Sequence, residues 1–145
     1  MKKTLSILLL VCILVVAICV PATAAGIEQR NLLTNRATAG DYRLIINGVS
    51  HYVPSDTYVG YNYITTGYYV GVAQKALNSI NTNSWRWGRH ANCSAGTVDE
   101  IFVQNTYSGV FNFQAWDNYW TGNTQIDGIC GPATFGQLAN YLIQL

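Results

Sequence analysis

Four carboxylates, Asp99, Glu100, Asp117 and Asp127, are the side chains here whose type suits bond cleavage. Hydrolysis of a glycosidic bond needs two facing acids, one to protonate the leaving group and one to attack or to activate water. The spacing argues against that use. Val98-Asp99-Glu100-Ile101-Phe102-Val103-Gln104-Asn105-Thr106 is echoed 28 positions later by Ile126-Asp127-Gly128-Ile129-Cys130-Gly131-Pro132-Ala133-Thr134. Asp99 and Asp127 therefore occupy equivalent places in a repeated turn, where a short carboxylate accepts backbone N–H bonds. Glu100 has no acidic counterpart in the second copy. His51 and His90, the only histidines, stand at no telling distance from a partner acid, and the His-x-x-x-His spacing of metallopeptidases is absent. The residues predict a chain that is not an enzyme and that needs no cofactor.

The elements that must position these residues can be read around the repeat. It continues past the turn, with Val110 answered by Leu138 and Phe113 by Tyr141. A repeat of this period is one supersecondary unit used twice, each copy burying the other's apolar face. Before it, Val70, Ala73, Leu77 and Ile80 mark one face of a helix, with Gln74, Lys75 and Asn78 turned elsewhere. The pattern breaks at 81–84, and a loop carries Trp85-Arg86-Trp87-Gly88-Arg89-His90 towards Gly96. A second helix is expected from Asn105 or Thr106, either of which can cap free N–H groups, burying Val110 and Phe113. A third is expected from Pro132, which suits a first helical position, with Phe135, Leu138, Tyr141 and Leu142 inward. Asn47-Gly48 between Tyr42–Ile46 and Val49–Val53 is a hairpin signal, since both turn residues tolerate positive φ. The Tyr-rich stretch from Ser55 to Tyr69 reads as extended or irregular. The fold class is mainly α, three helices preceded by a β-hairpin.

Lys2, Lys3, the apolar run Leu5 to Val20, Pro21 and Ala22-Thr23-Ala24 read as a cleaved signal peptide over residues 1–24. An uncleaved anchor is the alternative. Gly26 to about Gly40 reads as a leader, so residues 25–66 form leader plus hairpin and 67–145 the helical domain. Of eight basic residues, Lys2 and Lys3 leave with the signal, so six face seven acids. That balance offers nothing to attract nucleic acid or an anionic membrane. Export makes the pair Cys93 and Cys130 a disulfide expectation, adding roughly 4 kcal/mol by the loop-entropy argument. A zinc site of His51, His90, Cys93 and Cys130 is the competing reading.

These residues resemble the three-helix peptidoglycan-binding domain attached to many bacterial cell-wall hydrolases. The family pattern is a helix with apolar-x-x-apolar-Gln-x-x-Leu, followed by two turns of the form apolar-Asp-Gly-Ile-x-Gly-Pro-x-Thr. Val70, Ala73, Gln74 and Leu77 fit the helix, and Ile126 to Thr134 is a full second turn, with Asp127, Gly128, Gly131, Pro132 and Thr134 in place. Val110-Phe111-Asn112-Phe113-Gln114 fits the family's middle helix. The likeness covers Gly67 to Leu145. In the first turn Glu100, Val103 and Gln104 replace Gly, Gly and Pro, which predicts a differently shaped loop.

The resemblance implies a secreted, cell-wall-associated module that binds a glycan strand or stem peptide and works beside a separate cell-wall enzyme. Sugar faces stack on aromatic rings, so Trp85, Trp87, Tyr119 and Trp120 are candidate contacts. Arg86 and Arg89 suit stem-peptide carboxylates, and Gln114 and Asn118 suit amides. Trp116, three residues after Phe113, is assigned to the core. The alternatives are a protein-interaction module on the same fold and a small cell-wall hydrolase.

Overall fold

The computed structural model describes residues 41–122 and 124–145; the signal, the anchor alternative and the leader up to Gly40 lie outside them. The architecture is mainly helical, with one two-stranded antiparallel hairpin. Strand β1 (Tyr42–Ile46) pairs with β2 (Val49–Val53), Ile46 facing Val49 across the turn. Asn47 and Gly48 both take positive φ, 50° and 78°, the conformation that matches strand twist in a two-residue turn. Helix α1 spans Tyr68–Asn83 and passes into a 3-10 turn at Ser84–Trp87. Helix α2 spans Gln104–Thr121 and α3 spans Pro132–Leu142.

Leu44, Ile46 and Val53 of the hairpin share one core with Val70, Ala73, Leu77 and Ile80 of α1, Val110, Phe113 and Trp116 of α2, and Phe135, Leu138 and Leu142 of α3. Burial of each larger side chain contributes about 1.5–3 kcal/mol. The hairpin is thus a wall of the helical core. Tyr42 lies against Gly136 of α3, where a Cβ would come within 3.3 Å of its ring.

Three expectations are corrected. Helix α2 begins at Gln104 after an extended Val103, with no side-chain cap, and the Thr106 hydroxyl is buried in its first turn. Gln74 does not turn outward; it is 1% exposed. The first turn also keeps the shape of the second. Glu100 takes the left-handed φ of 62° that Gly128 takes at 73°. The other substituted glycine position needs no such freedom, because Val103 and Gly131 both have extended backbone.

Candidate functional site

Each turn is built around one buried glutamine. Gln74 Nε2 donates to Asp99 Oδ1 at 2.8 Å, to the Ile101 carbonyl at 3.1 Å and to Thr106 Oγ1 at 3.1 Å. Its Oε1 accepts the Asp99 and Glu100 N–H groups. Gln114 repeats this with Asp127 Oδ1 at 2.9 Å, the Ile129 carbonyl at 2.9 Å, Thr134 Oγ1 at 3.0 Å, and the Asp127 and Gly128 N–H groups. Asp99 and Asp127 also accept the Ile101 and Ile129 N–H groups. Asp99, Asp127 and Thr134 are therefore bonded within the turns. A buried amide with three donor contacts and two acceptor contacts has no capacity left for a ligand. This removes Gln114 from the contact residues. The equal spacing of Val70 to Gln74 and Val110 to Gln114 is the sequence signal that identifies both glutamines.

The Gln74 amide, then the Ile101 N–H, hold the Asp99 carboxyl below its ordinary 3.8. A depressed acid stabilises the fold above its unfolded value and loses that contribution as pH falls through the folded one. We expect the urea midpoint to decline below about pH 4, and Asp99→Asn to flatten that acid limb relative to wild type. Equal slopes for the two proteins would refute this.

The expected disulfide between Cys93 and Cys130 is not formed. Cys93 and Cys130 are both buried and free. Cys93 Sγ contacts the Leu77 carbonyl at 3.4 Å, while Cys130 pairs its backbone with Val59. Burial pushes the Cys93 thiol up to about 12 and Cys130 well above its ordinary value. Thiolate is the reactive form, so both should resist maleimide labelling until denaturant is added, then react together. Labelling of the folded protein within minutes would contradict this. Among the described residues no three His, Cys, Asp or Glu side chains gather as a metal site.

The other carboxylate named above is enclosed. Asp117 is fully buried and accepts hydroxyls from Thr121, Thr124 and Tyr141, the last at 3.0 Å. Burial, and then the bond to Asp117, raise the Tyr141 hydroxyl well above its usual range.

The aromatic candidates divide. Trp116 is core and donates from Nε1 to the Arg89 carbonyl at 2.8 Å. Trp87 is half-buried, its ring edge-on to Trp116 and Tyr141 and its Nε1 bonded to Gln144. It closes the core. Trp85 is 67% exposed, and Arg86 reaches the Leu145 carbonyl at 3.4 Å. At the end of α2, exposed Tyr119 and Trp120 meet edge to face, and the Arg89 guanidinium lies 4.5 Å from the centre of the Tyr119 ring. Asn118 is half-buried beside them. The structure therefore brings together Arg89, Tyr119 and Trp120.

A second aromatic group was not singled out by sequence. Val59 and Cys130 exchange backbone hydrogen bonds of 3.0 and 2.8 Å, laying the Tyr-rich loop along the second turn. Tyr58 stacks on Tyr63, Tyr61 meets Tyr107, and Tyr107 stacks on Phe111. Beside Tyr58 a cleft of about 270 Å³ is lined by Gln125, Asp127, Ile129, Pro132 and Ala133. Comparison with protein families, with curated proteins and with solved structures finds no match to this chain.

Proposed function

We propose that this protein is a secreted, non-catalytic module that binds bacterial cell-wall peptidoglycan on a three-helix peptidoglycan-binding-like bundle. The observation that carries the reading is the twice-built Gln–Asp–Thr turn. The residues that support the resemblance in sequence, Gln74 with Asp99 and Gln114 with Asp127 and Thr134, are the residues that hydrogen-bond to each other in space. A likeness resting on scattered matches would not require that.

Two further observations favour binding over the alternatives. Each repeated Asp is committed to its own turn and Asp117 is enclosed by hydroxyls, which leaves glycosidase chemistry without an evident facing pair. Trp87 packs on Trp116 and Tyr141, and Trp85 stays open, so a ring is available for a sugar face. Arg89, Tyr119 and Trp120 supply a cation and two further rings.

Sedimentation of the processed chain with purified insoluble peptidoglycan, with soluble muropeptides assayed in the same samples, tests this. Co-sedimentation without release is expected. Release of fragments would make the protein a hydrolase. Folded protein left in the supernatant would move the reading to protein interaction.

A further inference from the structure

We infer that the tyrosine strip over the second turn is the surface that stacks on the sugar rings of the glycan strand. The rings of Tyr58 and Tyr63 stack as one set, and Tyr61, Tyr107 and Phe111 form a second, with Tyr61 tilted on Tyr107 and Tyr107 stacked on Phe111. Centroids lie 5.3 Å apart for Tyr58–Tyr63, 5.8 Å for Tyr61–Tyr107 and 6.1 Å for Tyr107–Phe111, with interplanar angles of 25° to 31°. The sets are seated on the turn itself. A Cβ at Gly131 would come within 2.9 Å of the Tyr58 ring, and one at Gly128 would collide with Tyr107. Tyr61 is further fixed edge-on to the buried Phe102 at 5.3 Å.

Rings ordered in advance lose little conformational entropy when a ligand covers them. Tyr58, Tyr61 and Tyr63 are nonetheless 42%, 45% and 52% exposed. Exposed rings with hydroxyls at their rims suit a ligand with apolar faces and polar edges.

Charge selects among such ligands. No basic side chain lines the cleft beside Tyr58, and that cleft carries the Asp127 carboxylate. A nucleic acid or phospholipid headgroup would meet no neutralising partner there and would face that carboxylate. A neutral glycan meets none of these penalties. Asp127 Oδ1 is taken by the turn, which leaves Oδ2 to accept a sugar hydroxyl, and Gln125 offers an amide to an N-acetyl group. Pro132 and Ala133 line the same cleft as an apolar floor for the acetyl methyl.

The inference rests on the peptidoglycan reading and deepens it by assigning the sugar strand, rather than the stem peptide, to this face. The test titrates the purified protein with a neutral oligomer of β-1,4-linked N-acetylglucosamine, in parallel with sedimentation on whole peptidoglycan. Wild type is expected to bind both. Tyr61→Ala/Tyr63→Ala should weaken both by roughly tenfold, the loss of two stacking contacts. Tyr61→Phe/Tyr63→Phe should retain binding, and Ile143→Ala, an exposed apolar change outside every proposed contact, should leave oligomer binding unchanged. If the double alanine variant does not fold, Tyr63→Ala alone, whose ring contact is with Tyr58, should lose roughly threefold. A folded alanine variant that binds within twofold of wild type overturns the strip and leaves the proposed function standing. Wild type that sediments with peptidoglycan but ignores the oligomer overturns the assignment to sugar. Binding to neither overturns both.

Discussion

Replacement of Gln114 by leucine should destabilise the protein by about 3–5 kcal/mol, a large share of the 5–15 kcal/mol typical of a domain this size. Leucine fits the volume but makes none of the five hydrogen bonds that Gln114 makes with the second turn. The penalty comes chiefly from what is left behind. The Gly128 N–H belongs to a buried residue and loses its Gln114 acceptor, and a buried polar group without a partner costs about 1–3 kcal/mol; the Thr134 hydroxyl keeps its bond to the Ile129 carbonyl. Gln74→Leu removes the matching set from the first turn, yet Asp99 and Glu100 are exposed, so water replaces part of what is lost. Urea unfolding should therefore rank Gln114→Leu as the more damaging by about 1–2 kcal/mol, with unchanged m-values. Equal losses would show that solvent reaches both turns alike.

The second large effect concerns the paired left-handed residues. Gly128→Ala should cost about 2–4 kcal/mol, combining the left-handed backbone penalty with displacement of Tyr107 from its seat. The mirror change, Glu100→Gly, should stabilise by about 0.5–1 kcal/mol, since Glu100 already holds φ 62° against its Cβ. Thermal unfolding reads both, at roughly 4–8 °C per kcal/mol for a domain of about 100 residues. The opposite signs are the informative result. A neutral Gly128→Ala would mean that Tyr107 relaxes freely, and the ring strip would lose its claim to be ordered in advance. Glu100 also packs its side chain against Gly71, so a destabilising Glu100→Gly would show that this contact outweighs the backbone relief.

The readable features were those with local causes. Asn47-Gly48 specifies its hairpin through the conformations those two residues tolerate, and Pro132 marks the start of α3 because it gives up no helical hydrogen bond there. The duplicated turn was legible because both copies use the same residue types at the same spacing. Features that depend on distant partners were harder. Gln74 is polar within an apolar stripe, and periodicity assigns such a residue to solvent; its burial follows only from a turn 25 residues downstream. An even number of cysteines and expected export favour pairing but carry no information about where the backbones of Cys93 and Cys130 lie. Trp87 and Gln114 had the chemistry of ligand contacts but are consumed by Gln144 and by the second turn. The tyrosine loop has no periodicity, so its place along the second turn depends on the Val59–Cys130 pairing, which neither segment predicts alone.

The seating of the hairpin on α3 bears on how the chain reaches its native state. Tyr42 rests against Gly136, and Leu44 and Ile46 share a core with Phe135 and Leu138, partners separated by most of the described sequence. The two turn units join neighbours close along the chain, whereas this clasp joins the first and final elements of the described residues. Loop closure of that length slows folding more than it lowers stability. While the clasp is open, the apolar face of the hairpin and its unpaired strand edges are uncovered, a state prone to mispairing between chains. Contact with α3 is therefore what keeps the hairpin's apolar face covered.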